Sequence, residues 1–451
     1  MKKIFYFMGI FGLIISFSGC QKNTPEQKDS FMKEEQEVVE VEKGDEANLG
    51  EKSEKSFVDT FPNFSGKTVF SDQINFNYST LSFDKKSLFK LSENVCVLVY
   101  AGYDTKARGV ITPGMVKIIK TDRKDSLIEK DEVFLDNLRK ESPISGARID
   151  DSHFIVVFGD LQTGKLKAFI ATIDENLKIN IGDFFEFSPS SASVYKNLSI
   201  VALSSSSFIV AYQKEDIGKK GVAVFVNIPK EGEISFAEEV VFEDSASSEI
   251  SLSDLDENNF AISYLAGGSL INSFRNGVVK IGKVNNGKIN FGTGFYFNNP
   301  NETGVERAKI FSVDKNRLIF LYGARHRELK EGVQIYGRVG IVETDELSFG
   351  QEILISENSS FWASHLSENR LFLLDEVRGK FGGLEGGRIF VITAEKENLN
   401  SGGHSDMVKI SNEMAGSLYV LGIGEKTFMI NWVDTGIDAP KGRIIIGSLQ
   451  D

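Results

Sequence analysis

The sequence predicts an all-β protein, a ring of seven four-stranded antiparallel sheets whose last sheet is closed by the domain's own N-terminal strand. Three observations carry this expectation. One strand-and-turn pattern recurs seven times at near-constant spacing. The last copy stops one strand short, and a segment ahead of the first copy has the spacing of the missing strand. None of the eight prolines falls inside an expected inner strand, where a missing N–H would break the ladder.

The N-terminus reads as an address. Met1-Lys2-Lys3 is basic, Ile4 to Phe17 is apolar, and the run ends in Phe17-Ser18-Gly19-Cys20. Crossing the bilayer takes about 20 apolar residues, so a run of this length ending in small residues predicts a secretion signal over 1–20 and not a membrane span. The ending resembles the lipobox of bacterial lipoproteins. That resemblance implies that Cys20 is the lipidated first residue of the mature chain. Gln21 follows where the family's inner-membrane retention signal has aspartate, which implies attachment to the outer membrane. With Cys20 lipidated, Cys96 is the remaining thiol, and its setting in Val95-Cys96-Val97-Leu98-Val99 predicts a buried small hydrophobe.

Residues 21–60 hold six lysines and twelve acids without sustained apolar periodicity. Such a segment cannot bury enough surface to offset its chain entropy, so an acidic disordered tether is expected. From 61 onward the composition changes.

Over 61–451 a turn of small polar residues precedes a five-residue strand that ends, in six of seven copies, in an aromatic. The copies run from Ser92, Asp150, Ser204, Asp256, Asp314, Ser367 and Gly424 to Tyr100, Phe158, Tyr212, Tyr264, Tyr322, Asp375 and Trp432, with end-to-end spacings of 58, 54, 52, 58, 53 and 57 residues. Each continues through a hairpin into another apolar strand, then into a fourth with two apolar positions six residues apart, as in Phe236 to Phe242 and Phe291 to Phe297. The seventh copy lacks its fourth strand. Phe64 to Phe70 has the same six-residue spacing and is expected to supply it, which removes an exposed sheet edge. The units resemble bacterial seven-bladed β-propellers with repeats of about 55 residues. The resemblance covers Phe61 to Asp451 and implies a fold, not an activity.

Composition narrows the function. Lys and Arg total 51 against 64 Asp and Glu, for a net charge of −13, which argues against nucleic acid as partner. Asp254-Leu255-Asp256-Glu257-Asn258 lacks the glycine and closing glutamate of a calcium loop and sits where other copies carry hairpin turns. His153, His326, His365 and His404 are scattered, without the spacing of a zinc site, so no metal and no cofactor is expected. The middle hairpins sum to +6 and five inter-unit connections to −5, predicting a face of mixed sign.

One position per unit, close to the turn on the innermost strand, reads Lys90, Arg148, Ala202, Asp254, Ser312, His365 and Gly422. Of these, Lys90, Arg148, Asp254, Ser312 and His365 are the candidate ligand-binding residues at a tunnel mouth. Asp375, a carboxylate in an aromatic position, is a candidate buried acid, either a structural acceptor or a functional group. The expected function is that of a non-catalytic, membrane-anchored, monomeric envelope lipoprotein binding a protein or glycan. The alternatives are an envelope glycoside hydrolase or lyase using carboxylates at the mouth, and a scaffold in an outer-membrane assembly.

Overall fold

The computed structural model describes residues 68–70, 74–76 and 86–449, apart from short segments of which the longest are 188–194, 268–274, 410–417 and 435–440. Cys20 and the tether lie outside the described residues. Among the described residues seven antiparallel blade sheets follow one another along the chain, with a two-stranded ribbon of Asp104–Thr105 and Val110–Ile111 in the middle hairpin of the first and no helix. Blade 1 is built on Lys86–Ser92, Val95–Tyr100, Gly114–Thr121 and Leu127–Leu135. The first strands of blades 2 to 7 are Ile144–Arg148, Tyr195–Ala202, Ser247–Asp254, Thr303–Asp314, Phe361–Ser367 and Tyr419–Gly422.

The recurring turn works by local chemistry. The carboxylate of Asp150, Asp256 or Asp314 accepts the backbone N–H two residues on, from Ser152, Asn258 or Asn316, at 2.8–2.9 Å, and Ser204 does the same for Ser206 at 3.2 Å. The third strand then returns to the turn. Its terminal N–H, from Thr121, Ile173, Ile228, Val284, Val342, Ala394 or Leu449, donates to the carbonyl of Asn94, Ser152, Ser206, Asn258, Asn316, Asn369 or Lys426 at 2.7–2.9 Å. One hydrogen bond repeated in all seven blades fixes where each hairpin ends.

Burial follows the blades rather than a single centre. Each described apolar cluster fills the gap between two neighbouring sheets, because each sheet has two faces and both are covered. Val97 and Val116 of blade 1 meet Phe154 and Phe169 of blade 2. At the closing junction Leu421, Met429 and Ile444 of blade 7 meet Cys96, Leu98 and Ile119 of blade 1. The thiol is thus a core group, as expected, and burial pushes its pKa up to about 12 against the opposing charge of Lys90.

The outer strands of blades 3 to 7 are split. Ser235–Phe236 and Val240–Glu243 both pair with Lys220–Asn227, and Lys288–Phe291 and Phe295–Tyr296 both pair with Asn276–Asn285. The second apolar position swings over the third strand, where glycine leaves it room. A Cβ on Gly277 would stand 2.2 Å from the Phe297 ring.

The N-terminal segment closes blade 7, in a different register from the expected one. Thr68–Phe70 and Ile74–Phe76 both pair with Lys441–Leu449, Phe70 opposite Gly447 and Phe76 opposite Gly442. Phe70 stands to the third strand as Phe236 does to Val226 and Phe291 to Gly282. The two apolar positions are therefore Phe70 and Phe76, one step later than Phe64 and Phe70. Phe64, Phe70 and Phe76 lie at equal six-residue intervals, so spacing could not choose between the two registers, and the ladder with Lys441–Leu449 does. Phe64 lies outside the described residues.

Candidate functional site

The first strands of blades 6, 7, 1, 2, 3, 4 and 5 adjoin in turn around the central channel, those of blades 5 and 6 stand further apart, and at the turn-side mouth the candidate residues fall into separate groups. Lys90 of blade 1 donates to the Ile423 carbonyl of blade 7 at 3.0 Å, a bond across the closing junction. Arg148 turns back onto its own hairpin, 2.6 Å from Asp151, with both side chains more than half exposed. Ala202 has no polar group to offer. Gly422 is glycine for want of room, since a Cβ there would stand 1.9 Å from the His365 carbonyl oxygen of blade 6.

Blades 4, 5 and 6 do bring side chains together. Ser312 Oγ donates to Asp254 Oδ1 at 3.3 Å, from blade 5 to blade 4. His365 of blade 6 lies edge-on to Phe311 of blade 5, ring centres 5.4 Å apart. Its ring is open to water yet surrounded by protein, as a channel-lining residue must be. That enclosure lowers the imidazole pKa, and the Asp254 carboxylate and a hydrogen bond with the Ser367 backbone partly offset it. The mouth thus groups a carboxylate, a hydroxyl and an imidazole on the first strands of three successive blades.

Asp375 is fully buried and fully engaged. It accepts Ser356 Oγ, Asn358 Nδ2 and Arg388 Nη2, each at 2.7 Å, and the Arg388 backbone N–H at 2.9 Å. Blade 6 here uses a charge pair where blades 3, 4 and 5 use a tyrosine bonded to glutamate: Tyr212 to Glu239 at 2.6 Å, Tyr264 to Glu243 at 3.0 Å, and Tyr322 to Glu352. Tyr212 and Tyr322 latch to a glutamate just ahead of their own blade's last strand segment, whereas Tyr264 of blade 4 reaches Glu243 on the outer strand of blade 3.

A second regularity escaped the sequence reading. Three residues before each mouth position the chain reads Ser87, Ser145, Ser199, Ser251, Lys309, Trp362 and Tyr419. The four serine hydroxyls accept the backbone N–H of Gly146, Ile200, Leu252 and Ile310 in the following blade at 3.0–3.4 Å. They stitch blades 1 to 5 at mid-channel. At the next three positions large side chains replace the serine.

Among the described residues no group of three or more His, Cys, Asp or Glu side chains is placed to hold a metal ion. His153 is 2.9 Å from Asp150 on its own hairpin, His326 lies against Tyr336, and His404 against Phe390. Asp256 of the calcium-loop look-alike is occupied by the N–H groups of Asn258 and Asn259, which outweigh burial and lower its pKa. A surface groove of about 750 Å³ lies between the blade 5 turn Asp314–Arg317 and the blade 6 residues Lys396 and Glu397, with Arg317 and Asp314 paired to each other at 2.7 Å.

No family model matches the sequence, and no curated protein matches it. Solved structures do resemble the fold. A protein of unknown function from Dyadobacter fermentans aligns at 10 % identity and TM-score 0.47, over 86 % of this chain and 100 % of that one. A lectin from Burkholderia pseudomallei aligns at 10 % identity and TM-score 0.50, over 79 % of this chain and 94 % of that one. The β-propeller domain of the Trilobed protease from Pyrococcus furiosus aligns at 9 % identity and TM-score 0.43, over 83 % and 97 %. The likeness to the lectin, at 10 % identity, speaks for the fold and for nothing finer.

Proposed function

We propose that the chain is a non-catalytic, membrane-anchored envelope lipoprotein whose propeller binds a protein or glycan partner at the turn-side channel mouth. The observation that carries the reading is the grouping of Asp254, Ser312 and His365 on blades 4, 5 and 6. A carboxylate accepts, a hydroxyl does both, and a neutral imidazole donates from one nitrogen and accepts at the other, the inventory that sugar hydroxyls and peptide amides call for. A lectin shares the fold, which makes glycans the first ligand class to screen. The lipobox ending at Cys20 and the acidic stretch 21–60 give the propeller a lipid anchor and a spacer.

Neither alternative gains an observation of its own. A glycoside hydrolase pair needs two carboxylates about 5–10 Å apart, and the seven mouth positions supply one, Asp254. An assembly scaffold would present a contiguous apolar patch, whereas among the described residues the exposed large apolar side chains Phe134, Phe184, Val241, Tyr296 and Leu354 fall one to an outer strand on blades 1 to 5.

The test screens the full chain in mild detergent against a glycan array and against envelope extracts. Binding that weakens by about tenfold or more in Asp254→Asn and His365→Gln supports the reading. Recovery of no partner together with turnover of a glycan or ester overturns it. Incorporation of labelled palmitate that is lost in Cys20→Ser tests the anchor separately.

A further inference from the structure

At the position of the four stitching serines blades 5, 6 and 7 carry other residues; the blade 6–7 bond is made instead by Ser364, whose hydroxyl accepts the Gly422 N–H at 3.2 Å, while the blade 5–6 junction holds a cluster of donors short of acceptors. Lys309 takes the serine position on blade 5, facing blade 6, and an ammonium cannot accept a backbone N–H. Trp362 and Tyr419 take the next two positions and stack on each other, ring centres 3.9 Å apart at 24°. Arg307, two residues before Lys309 on the same face of its strand, lies over the other side of Trp362 at 5.4 Å and donates Nη1 to Ser360 Oγ at 2.9 Å.

Three facts mark this cluster as incomplete. Lys309 is surrounded by protein, yet among the described residues its ammonium has no hydrogen-bond acceptor and no carboxylate within ion-pair distance. The charges it feels are Glu249 of blade 4, which favours its cation, and Arg307, which opposes it, with burial the largest influence and the net effect a lowered pKa. The indole N–H of Trp362 is buried with no acceptor. Two cations and an indole donor therefore sit at one junction where Glu249 is the carboxylate that Lys309 feels, in an enclosure where an unpaired charge is costly. Channel water can hydrate an ammonium, but water does not account for arginine and lysine side by side where four other blades place a neutral serine.

We propose that Arg307 and Lys309 form a binding site inside the channel for an oxyanion group, a carboxylate, sulfate or phosphate presented from the lumen. The site lies three residues deeper than the mouth, and its existence does not depend on what the mouth binds.

The experiment is isothermal titration of the full chain, at constant ionic strength in chloride, with sodium sulfate and in parallel with sodium D-glucuronate. The expected result is saturable binding at one site, weakened about ten- to a hundredfold in Lys309→Met, kept within a few fold in Lys309→Arg, and unchanged in Lys288→Met on the exposed outer strand of blade 4. Binding of both anions identifies a free oxyanion as sufficient, and binding of glucuronate alone identifies an acidic sugar. The proposal is overturned by the absence of saturable heat with either anion, or by a Lys309→Met protein that binds as the unaltered chain does. Because sulfate stabilises most proteins through exclusion from their surface, a thermal shift shared equally by both chains also counts against it.

Discussion

Removing the Asp375 carboxylate is expected to destabilise blade 6 by about 3 kcal/mol. The group is fully buried and holds Ser356, Asn358 and both the backbone and guanidinium of Arg388. Breaking a buried ion pair by deleting one partner costs about 3–5 kcal/mol, because the other charge is stranded. Arg388 is 28 % exposed, so part of its charge rehydrates, which places Asp375→Ala at the low end. Truncating Arg388 as well removes the stranded cation. The double variant Asp375→Ala with Arg388→Met should then fall short of the sum of the single changes by at least about 1 kcal/mol. Equilibrium urea unfolding reads both quantities, with the denaturant slope unchanged. A cost below about 1 kcal/mol for Asp375→Ala, or strict additivity, would refute the view of Asp375 as a structural acceptor and reopen a functional role for it.

Two further outcomes follow from the channel. His365 has its pKa lowered in the folded protein, so on acidification the unfolded chain takes up the proton first; stability should be full above the ordinary value of 6.5 and decline as pH falls through it. In urea unfolding across pH 7.5 to about 5, His365→Gln should flatten this limb and Asp254→Asn, which removes the opposing charge, should steepen it. Gly422→Ala should cost about 1–3 kcal/mol by overpacking against the His365 carbonyl, whereas Gly424→Ala, with its nearest neighbour 3.6 Å away at Thr427, should be close to neutral.

Much of this architecture was legible because its signals are local. Asp150, Asp256 and Asp314 mark turns by capping the N–H two residues on, and the aromatic eight residues later lies in a buried second strand. Register against a distant strand is not local, which is why Phe64 stood where Phe70 belongs. The mouth positions recur once per unit beside the turns, but side-chain direction decides which of them meet. Arg148 finds Asp151 three residues away, Lys90 reaches a carbonyl 333 residues away in blade 7, and only blades 4 to 6 converge. The serine stitch and its replacement by Lys309, Trp362 and Tyr419 lie three residues before the mouth positions in each repeat. A hydroxyl that bonds the next blade leaves no periodicity to notice, so it took the interblade distances to show it.

The channel requires a ring closed by the N-terminal segment. A disulfide between Val69→Cys and Ser448→Cys tests this directly, since these residues stand opposite each other in the closing ladder. The background carries Cys20→Ser, and Cys96, buried with its pKa pushed up to about 12, does not compete. Mild oxidation should give near-complete intramolecular cross-linking, seen as a mobility shift that reductant reverses, while the out-of-register pair Val69→Cys with Ile445→Cys stays reduced. No cross-link in the first pair, or equal cross-linking in both, would contradict the closed ring.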